Sequence, residues 1–507
     1  MLAPVIALLA ALLLGAATVF GFAPFGFSVL PVLTLAGLFW LWQRVETPRE
    51  AAWLGFAFGI GLFGAGASWV YVALSLFGGM AGVLAGIATV AFCAYLALLP
   101  ALAGWTATRI TATDGPLRLF ASAACWMLAE WLRSWVFTGF PWLSLGYAQV
   151  HGPLAGYAPL GGVFLVSLVI AVSAALAVQI ATALEARRCR AGLAAAAALA
   201  AIWLAGEGLR AIEWSHPVRE PVSVSLIQGN VEQDVKFEHA YREATLAVYA
   251  ELVAAAKGRL IVLPESALPM FADEVPAEYV ARLRAEAQRR GGDLLVGLFL
   301  SEPGEPGDDQ DRYFNSVVSV GEGTAQVYRK RHLVPFGETI PLKPVTGWFI
   351  HRVLHIPIAD QTPGPADQAP FAVAGERLAV NICYEDAFGS ELAREAGEAT
   401  LLVNVTNDAW YGRSLAAEQH EQIAEMRAVE LARPMLRATN TGITSIIDHR
   451  GRELARLPWF TRGILEGTVA GREGATPYLR LRDAPPIAIS LVVIVVCVAR
   501  RRSMLAR

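Results

Sequence analysis

The sequence predicts a bundle of roughly eight membrane-spanning helices joined to an α/β domain of layered-sandwich type. Three observations predict it. Hydrophobic residues make up 55% of the 507-residue chain and the mean hydropathy is +0.46, too apolar for an ordinary soluble protein. The apolar residues are gathered into long runs between Met1 and about Gly206, and again after Asp483. Between those runs, strand-like and helix-like stretches alternate, which is the pattern of a layered α/β fold. The expected divisions are a bundle of seven spans over 1–206, an α/β domain over 207–483, and a last span with a basic tail over 484–507.

A helix needs roughly 20 apolar residues to cross a bilayer. Runs of that character lie at about 2–20, 28–43, 52–75, 80–108, 119–136, 157–183 and 191–206, with the eighth at about 485–499. The seventh is rich in alanine and the eighth is short. Met1-Leu2-Ala3 carries no basic residue and the run continues past the length of a signal-peptide core, so a span is favoured there. Arginine placement sets the orientation. Arg44 and Arg49 follow the second run, Arg109 and Arg118 the fourth, Arg187, Arg188 and Arg190 the sixth, and Arg500, Arg501 and Arg502 the eighth. The short loops on the other side hold only Arg133. Both termini are therefore expected in the cytoplasm and the α/β domain outside, on the periplasmic face of a bacterial inner membrane. Glu130 and Arg133 interrupt the fifth run, and two readings stand open. One is a helix-end ion pair with the arginine reaching the interface; the other is a contact to a lipid phosphate or a dock for the α/β domain.

Within the α/β domain, strands are expected at 222–227, 260–263, 293–300, 314–320, 324–329, 377–382 and 401–405, and helices at 238–257, 276–290 and 416–432. Three of these strands end on chemically distinctive residues. Ile261-Val262-Leu263-Pro264-Glu265 ends on a carboxylate, Val327-Tyr328-Arg329-Lys330 on an ammonium, and Val380-Asn381-Ile382-Cys383 on a thiol. Cysteines 93, 125, 189 and 497 lie in or beside the apolar runs, which leaves Cys383 alone in the α/β domain and rules out a disulfide framework there. A cysteine nucleophile needs a base, and its tetrahedral intermediate needs a positive partner. Glu265 and Lys330 supply those two parts. Only four lysines occur in the chain, and Lys330 sits between Arg329 and Arg331, where a compact point charge has been kept among arginines. Taken singly, the glutamate reads more readily as a helix N-terminal acid, the cysteine as a core residue and the lysine as a solvated surface charge; together, at strand ends of one α/β domain, they point to the site.

Glu265 in Leu-Pro-Glu-Ser, Lys330 in Tyr-Arg-Lys-Arg-His-Leu-Val-Pro-Phe-Gly-Glu and Cys383 in Ile-Cys-Tyr-Glu resemble the Glu-Lys-Cys triad of the nitrilase (carbon–nitrogen hydrolase) superfamily. Membrane segments with Glu-Trp-x-Arg and Thr-Gly-Phe-Pro-Trp, together with Asn407-Asp-Ala-Trp-Tyr-Gly412 and Arg437-Ala-Thr-Asn-Thr-Gly442, make the whole chain similar to the apolipoprotein N-acyltransferases. That resemblance implies a four-layer α-β-β-α sandwich and a two-step reaction. Cys383 takes an acyl chain from a phospholipid, chiefly phosphatidylethanolamine. The thioester then acylates the α-amino group of a diacylglyceryl-cysteine at a lipoprotein N-terminus. Glu265 moves the protons, Lys330 binds the oxyanion, Glu338 supports the site, Tyr384 and Glu385 flank the nucleophile, and Trp410 lies in a matching segment. Phe237 stands where relatives can carry tryptophan.

Segment 339–361, with Trp348, Phe349, Ile350 and Leu354, is unusually apolar, and is expected to be a mobile arm that admits acyl chains from the outer leaflet. The net charge of −3 gives no reason to invoke nucleic acid. No metal-ligand cluster or nucleotide-binding loop is present in the sequence, so no cofactor is expected, and the protein is expected to act as a monomer. Two other functions compete. A membrane-tethered amidase would share the triad, but eight spans exceed what a tether needs. A transporter with an external sensing domain would require more intramembrane charge than Glu130 and Arg133 provide.

Overall fold

The structure is a computed structural model that describes residues 2–111, 115–232, 239–304, 311–335, 337–339 and 361–505. The chain forms two compact units. The first comprises residues up to 71, 82–213 and from 480 onward; the second comprises 72–81 and 214–479.

In the first unit, helices cover Leu2–Thr18, Leu30–Gln43, Pro48–Gly66, Gly82–Ile110, Pro116–Arg133, Ala158–Glu185, Cys189–Arg210 and Ala484–Leu505. Seven of the eight apolar runs each lie largely on one helix, and the run at about 52–75 is divided between Pro48–Gly66 and Val70–Phe77. Five are long and apolar enough to cross a membrane by themselves, and six if Pro48–Gly66 is joined to Val70–Phe77 across a 59° bend. Leu30–Gln43 is too short to pass that test alone. The helix Pro48–Gly66 starts on Thr47, whose side chain accepts from the Glu50 amide (3.2 Å) while the Glu50 carboxylate accepts from the Thr47 amide (3.3 Å), with Pro48 in the first turn. Its glycines let two neighbours approach closely. A Cβ on Gly61 would lie 2.0 Å from the Leu12 carbonyl oxygen, and one on Gly55 would lie 2.3 Å from that of Pro100.

Helix Pro116–Arg133 differs from the others because it buries Arg118, Glu130 and Arg133. Buried charges need partners. Arg118 donates to the Val45 carbonyl (3.0 Å), and Glu130 accepts from Trp126 Nε1 (2.9 Å) and the Leu145 amide (3.0 Å).

Among its described residues, the second unit contains fourteen strands: β1 (Ser215–Pro217), β2 (Val222–Gln228), β3 (Leu260–Val262), β4 (Asp293–Glu302), β5 (Arg312–Val320), β6 (Val327–Arg329), β7 (Phe371–Val373), β8 (Glu376–Ile382), β9 (Leu401–Thr406), β10 (Met435–Thr439), β11 (Ser445–Ile447), β12 (Glu453–Arg456), β13 (Gly463–Val469) and β14 (Arg472–Gly474). Two six-stranded sheets run in the orders β13-β2-β3-β4-β5-β6 and β12-β11-β10-β9-β8-β7, and β1 pairs with β14. The central strands β2-β3-β4 and β8-β9-β10 are parallel and the flanking ones antiparallel. β8 and β9 are buried along almost their whole length, as expected for parallel strands covered on both faces.

Helices Arg242–Ala255 and Ala277–Arg289 cover the first sheet, packing Tyr249, Val253 and Leu283 against Ile227, Ile261 and Leu294. Helices Gly389–Glu395 and Ala416–Leu431 cover the second, packing Leu392, Ala424 and Leu431 against Ala379, Leu402 and Met435. The uncovered faces meet each other. At Gly467 a Cβ would lie 2.5 Å from Ile446 Cδ1 of the opposite sheet. The result is a four-layer α-β-β-α sandwich.

Candidate active site

Three strand ends build the site, at the carboxyl edges where layered α/β folds leave room for ligands. β3 leads through Leu263-Pro264 to Glu265, β6 delivers Lys330, and β8 passes directly into a 3₁₀ turn, Cys383–Ala387. Cys383 opens that turn with φ +54°, a left-handed conformation that a non-glycine residue holds only when its surroundings impose it. All three residues are buried, with relative exposures of 6% for Glu265, 1% for Lys330 and 5% for Cys383.

The carboxylate and the ammonium meet directly. Lys330 Nζ donates to Glu265 Oε1 at 3.3 Å and to Glu338 Oε1 at 2.7 Å. Asn315 Nδ2 bridges the same two carboxylates, at 2.7 Å to Glu265 and 3.3 Å to Glu338. The second oxygen of Glu338 accepts from the Val334 amide (2.9 Å), so Glu338 ties the chain beyond β6 back onto Lys330. Asn315 was not read from the sequence. It lies inside β5, in the pattern Phe314-Asn315-Ser316, and a buried amide at a central strand position was the signal available.

Glu385, expected only as a neighbour of the nucleophile, joins the two sheets at the site. Its Oε1 accepts from the amides of Arg331 (2.7 Å) and His332 (3.1 Å), and its Oε2 from the Ile382 amide (2.7 Å) and the Tyr328 hydroxyl (3.0 Å). One carboxylate therefore sets the strand end carrying Cys383 against the strand end carrying Lys330. Tyr384 is buried and meets the Phe388 ring edge-on at 5.1 Å, while Phe388 stacks on His332 at 3.5 Å.

Electrostatics bind the set together. Burial and the neighbouring Glu265 charge push the Cys383 thiol well above its usual pKa, and Lys330 pulls it partly back. Burial by itself would lower the Lys330 pKa, but Glu265 and Glu338 outweigh it and hold the ammonium charged. A thiol whose pKa is raised thus shares this buried site with a lysine hydrogen-bonded to two glutamates.

Behind the nucleophile lies a second buried group. His420 Nδ1 faces Asp408 Oδ1 (2.8 Å), and its Nε2 faces Asp386 Oδ1 (3.0 Å) and the Cys383 carbonyl (3.3 Å). Arg437 donates to Asp386 Oδ2 and Asp408 Oδ2, each at 3.1 Å, and to Asn404 Oδ1 (2.6 Å). Asn404 Nδ2 in turn donates to the Cys383 carbonyl (3.1 Å).

The remaining expected residues fall in different places. Phe237 and Trp348 lie outside the described residues. Trp410 sits on a short turn after β9, 41% exposed, with its ring 5.8 Å from that of Phe77 in the same unit. Arg133 is 3% exposed and donates to the carbonyls of Phe140 and Trp142 and to Ser144 Oγ. The physical reason is the tight 139–144 turn, whose inward carbonyls need a donor inside the unit.

Comparison with known proteins agrees with this architecture. Residues 14–176 match the family described as apolipoprotein N-acyltransferase N-terminal domain, and residues 223–478 match carbon-nitrogen hydrolase. A protein of Nitrosomonas europaea is 50% identical over 484 residues, covering 95% of both chains. One of Ralstonia nicotianae is 42% identical over 503 residues, covering 97% of this chain and 93% of its own. One of Methylococcus capsulatus is 43% identical over 498 residues, covering 98% and 96%. All three are named apolipoprotein N-acyltransferase. With apolar helices in one unit and a Glu-Lys-Cys sandwich in the other, the chain belongs to the apolipoprotein N-acyltransferase family, multi-pass membrane acyltransferases of the carbon–nitrogen hydrolase superfamily.

Proposed function

We propose that the protein transfers one fatty acyl chain from a membrane phospholipid to the α-amino group of an N-terminal S-diacylglyceryl-cysteine, through a thioester on Cys383. In the first half-reaction, Cys383 Sγ attacks the ester carbonyl and its proton passes to Glu265. The developing oxyanion is held by Lys330, already charged and fixed between two carboxylates. Collapse breaks the ester C–O bond, and Glu265 returns the proton to the departing lysophospholipid oxygen. In the second half-reaction, the lipopeptide amine attacks the thioester, Glu265 takes a proton from nitrogen, and the thiol is re-formed. Glu338 and Asn315 hold Lys330 and Glu265 in place, and Glu385 fixes the spacing of the two strand ends.

The observation that carries this reading is the buried Glu265–Lys330 pair acting electrostatically on the Cys383 thiol, in a chain whose other unit is apolar helices. Phosphatidylethanolamine is the proposed donor and a diacylglyceryl-apolipoprotein the acceptor. The proposed setting is the bacterial inner membrane, with the α/β domain periplasmic, both termini cytoplasmic and the enzyme monomeric. The arginine-rich exits support that orientation.

The test uses purified protein in phosphatidylethanolamine vesicles with a synthetic S-diacylglyceryl-cysteine peptide. The expected product is a peptide heavier by one acyl chain with a blocked N-terminus, formed together with lysophospholipid. Hydrolysis of a small amide with the peptide unchanged would replace this reading with a membrane-tethered amidase.

A further inference from the structure

The His420 cluster takes no part in the proton transfers described above, yet it consists of four ionisable side chains with essentially no solvent contact. Relative exposures are 0% for His420, Asp386 and Arg437 and 2% for Asp408. Isolated charges cannot be buried this way, because removing a carboxylate from water without a counter-charge costs several kcal/mol. The geometry meets that requirement with two cations and two anions. Each ring nitrogen of His420 faces a carboxylate oxygen, so both nitrogens carry protons, and Arg437 closes the other side with one donor to each aspartate. Burial and Arg437 oppose the charge on the imidazole, but Asp386 and Asp408 prevail and raise its pKa to about 9.

The placement of the cluster gives it a consequence for catalysis. Asp386 is in the same five-residue turn as Cys383, and Asp408 opens the turn after β9. His420 lies on helix Ala416–Leu431 and Arg437 in the middle of β10. The group therefore joins the nucleophile turn to three other elements. Besides the two aspartates and Arg437, the charged or titratable neighbours that bear on it are Glu421, which acts on Arg437, Tyr411, which feels the Asp408 charge, and the Cys383 thiol itself. Space is tight as well: a Cβ on Gly442 would lie 2.2 Å from Asp408 Oδ2. The thiol also feels the Asp408 charge directly.

We infer that His420 and Arg437 are positioning residues that neutralise Asp386 and Asp408 behind the Cys383 turn, so that the thiol is presented with no net charge at its back. This inference rests on Cys383 being the nucleophile. A packing role and a charge-balancing role predict opposite outcomes for a neutral double variant. His420→Gln leaves one uncompensated negative charge near the thiol and makes it harder to ionise. His420→Gln combined with Asp408→Asn restores neutrality while disturbing the packing twice.

The experiment uses the full-length protein in detergent micelles free of phospholipid and follows the rate of alkylation by iodoacetamide at about pH 7.5, where His420 is charged. Alkylation is read at the Cys383 peptide by mass spectrometry, because Cys189 is exposed and also reacts. Expected is a rate about tenfold lower in His420→Gln, the size of one unpaired buried charge. The double variant should return close to wild type, and Asp408→Asn alone, with its excess positive charge, should react faster. If His420→Gln does not fold, Asp408→Asn and the double variant decide the question by themselves. Unchanged rates, or a double variant displaced further than either single, would overturn the inference. Alkylation needs no acyl donor, so failure of the acyl-transfer reading shows separately, as Cys383→Ala retaining transfer activity.

Discussion

Replacing Lys330 by methionine removes an ammonium that is 1% exposed and hydrogen-bonded to two carboxylates. At about 3 Å and an effective dielectric near 20, each attraction is on the order of 5–6 kcal/mol before desolvation is charged against it. Methionine leaves Glu265 and Glu338 facing one another across Asn315 with no cation between them. Breaking a buried pair from one side typically costs about 3–5 kcal/mol, a large share of the roughly 5–15 kcal/mol that holds a domain together. The variant should therefore unfold at markedly lower temperature. Loss of one oxyanion donor alone costs about 2.7–4 kcal/mol in the transition state, so acyl transfer should fall by at least about 10²–10³-fold. A double variant, Lys330→Met with Glu338→Gln, separates the two effects. It has one buried negative charge instead of two, so stability should recover by roughly 2 kcal/mol or more, while activity stays low. Thermal unfolding and transfer to a diacylglyceryl peptide are measured on the same preparations. A double variant that regains both stability and wild-type turnover would refute the assignment of Lys330 to the oxyanion and leave it a purely structural cation.

Four further outcomes follow from the same geometry. Lys330→Arg should remain folded but lose transfer by about 10²-fold or more, because a planar fork cannot sit where a point charge binds a carboxylate at 2.7 Å and an oxyanion at once; near-normal turnover in the peptide assay would contradict this. Glu385→Gln replaces an acceptor of four hydrogen bonds by a group that can accept at only one end, so a loss of about 2–4 kcal/mol in stability and a comparable loss in activity are expected. Tyr328→Phe, which removes a single donor, should cost about 1 kcal/mol in the same unfolding assay. Glu395 has its pKa raised to about 9 by burial and by Glu385. Its proton is held in the folded state and released in the unfolded one above the ordinary carboxylate pKa, so stability falls as pH rises between those two values. Glu395→Gln should therefore raise the unfolding midpoint at pH 8 and change it little near pH 4.5, and an equal effect at both would count against the shift.

Much of this was legible in the residues themselves. Glu265, Lys330 and Cys383 announce themselves because each ends a β-rich run, and strand ends are where a layered α/β fold exposes chemistry. The helices of the first unit follow from the apolar runs, although only five of them, or six with the bent pair, are long and apolar enough to span a membrane. What stayed hidden depends on contacts between distant segments. β13 pairs with β2, Val469 opposite Val222, and its two glycines disguise it as a loop. β10 contains Arg437 and follows Arg433, and two arginines beside a proline do not read as a buried central strand. Their burial makes sense only once Asp386, Asp408 and the local carbonyls are seen around them. Asn315 and Glu385 were obscured for the same reason, since a bridging amide and a four-donor clamp are defined by partners rather than by their neighbours in sequence. The hydrogen bonds of Arg133 to the 139–144 turn were likewise hidden, since they depend on carbonyls that only the folded turn brings round.

The central claim is that Cys383 carries the acyl chain between two lipids. Intact-protein mass spectrometry of the purified enzyme after incubation with phosphatidylethanolamine vesicles, beside Cys383→Ala, tests it most directly. The account predicts a mass increase of one fatty acyl group on the wild type alone, removed by hydroxylamine and discharged by a diacylglyceryl peptide. An unmodified wild-type enzyme that still acylates the peptide, or an adduct that persists in Cys383→Ala, would contradict it.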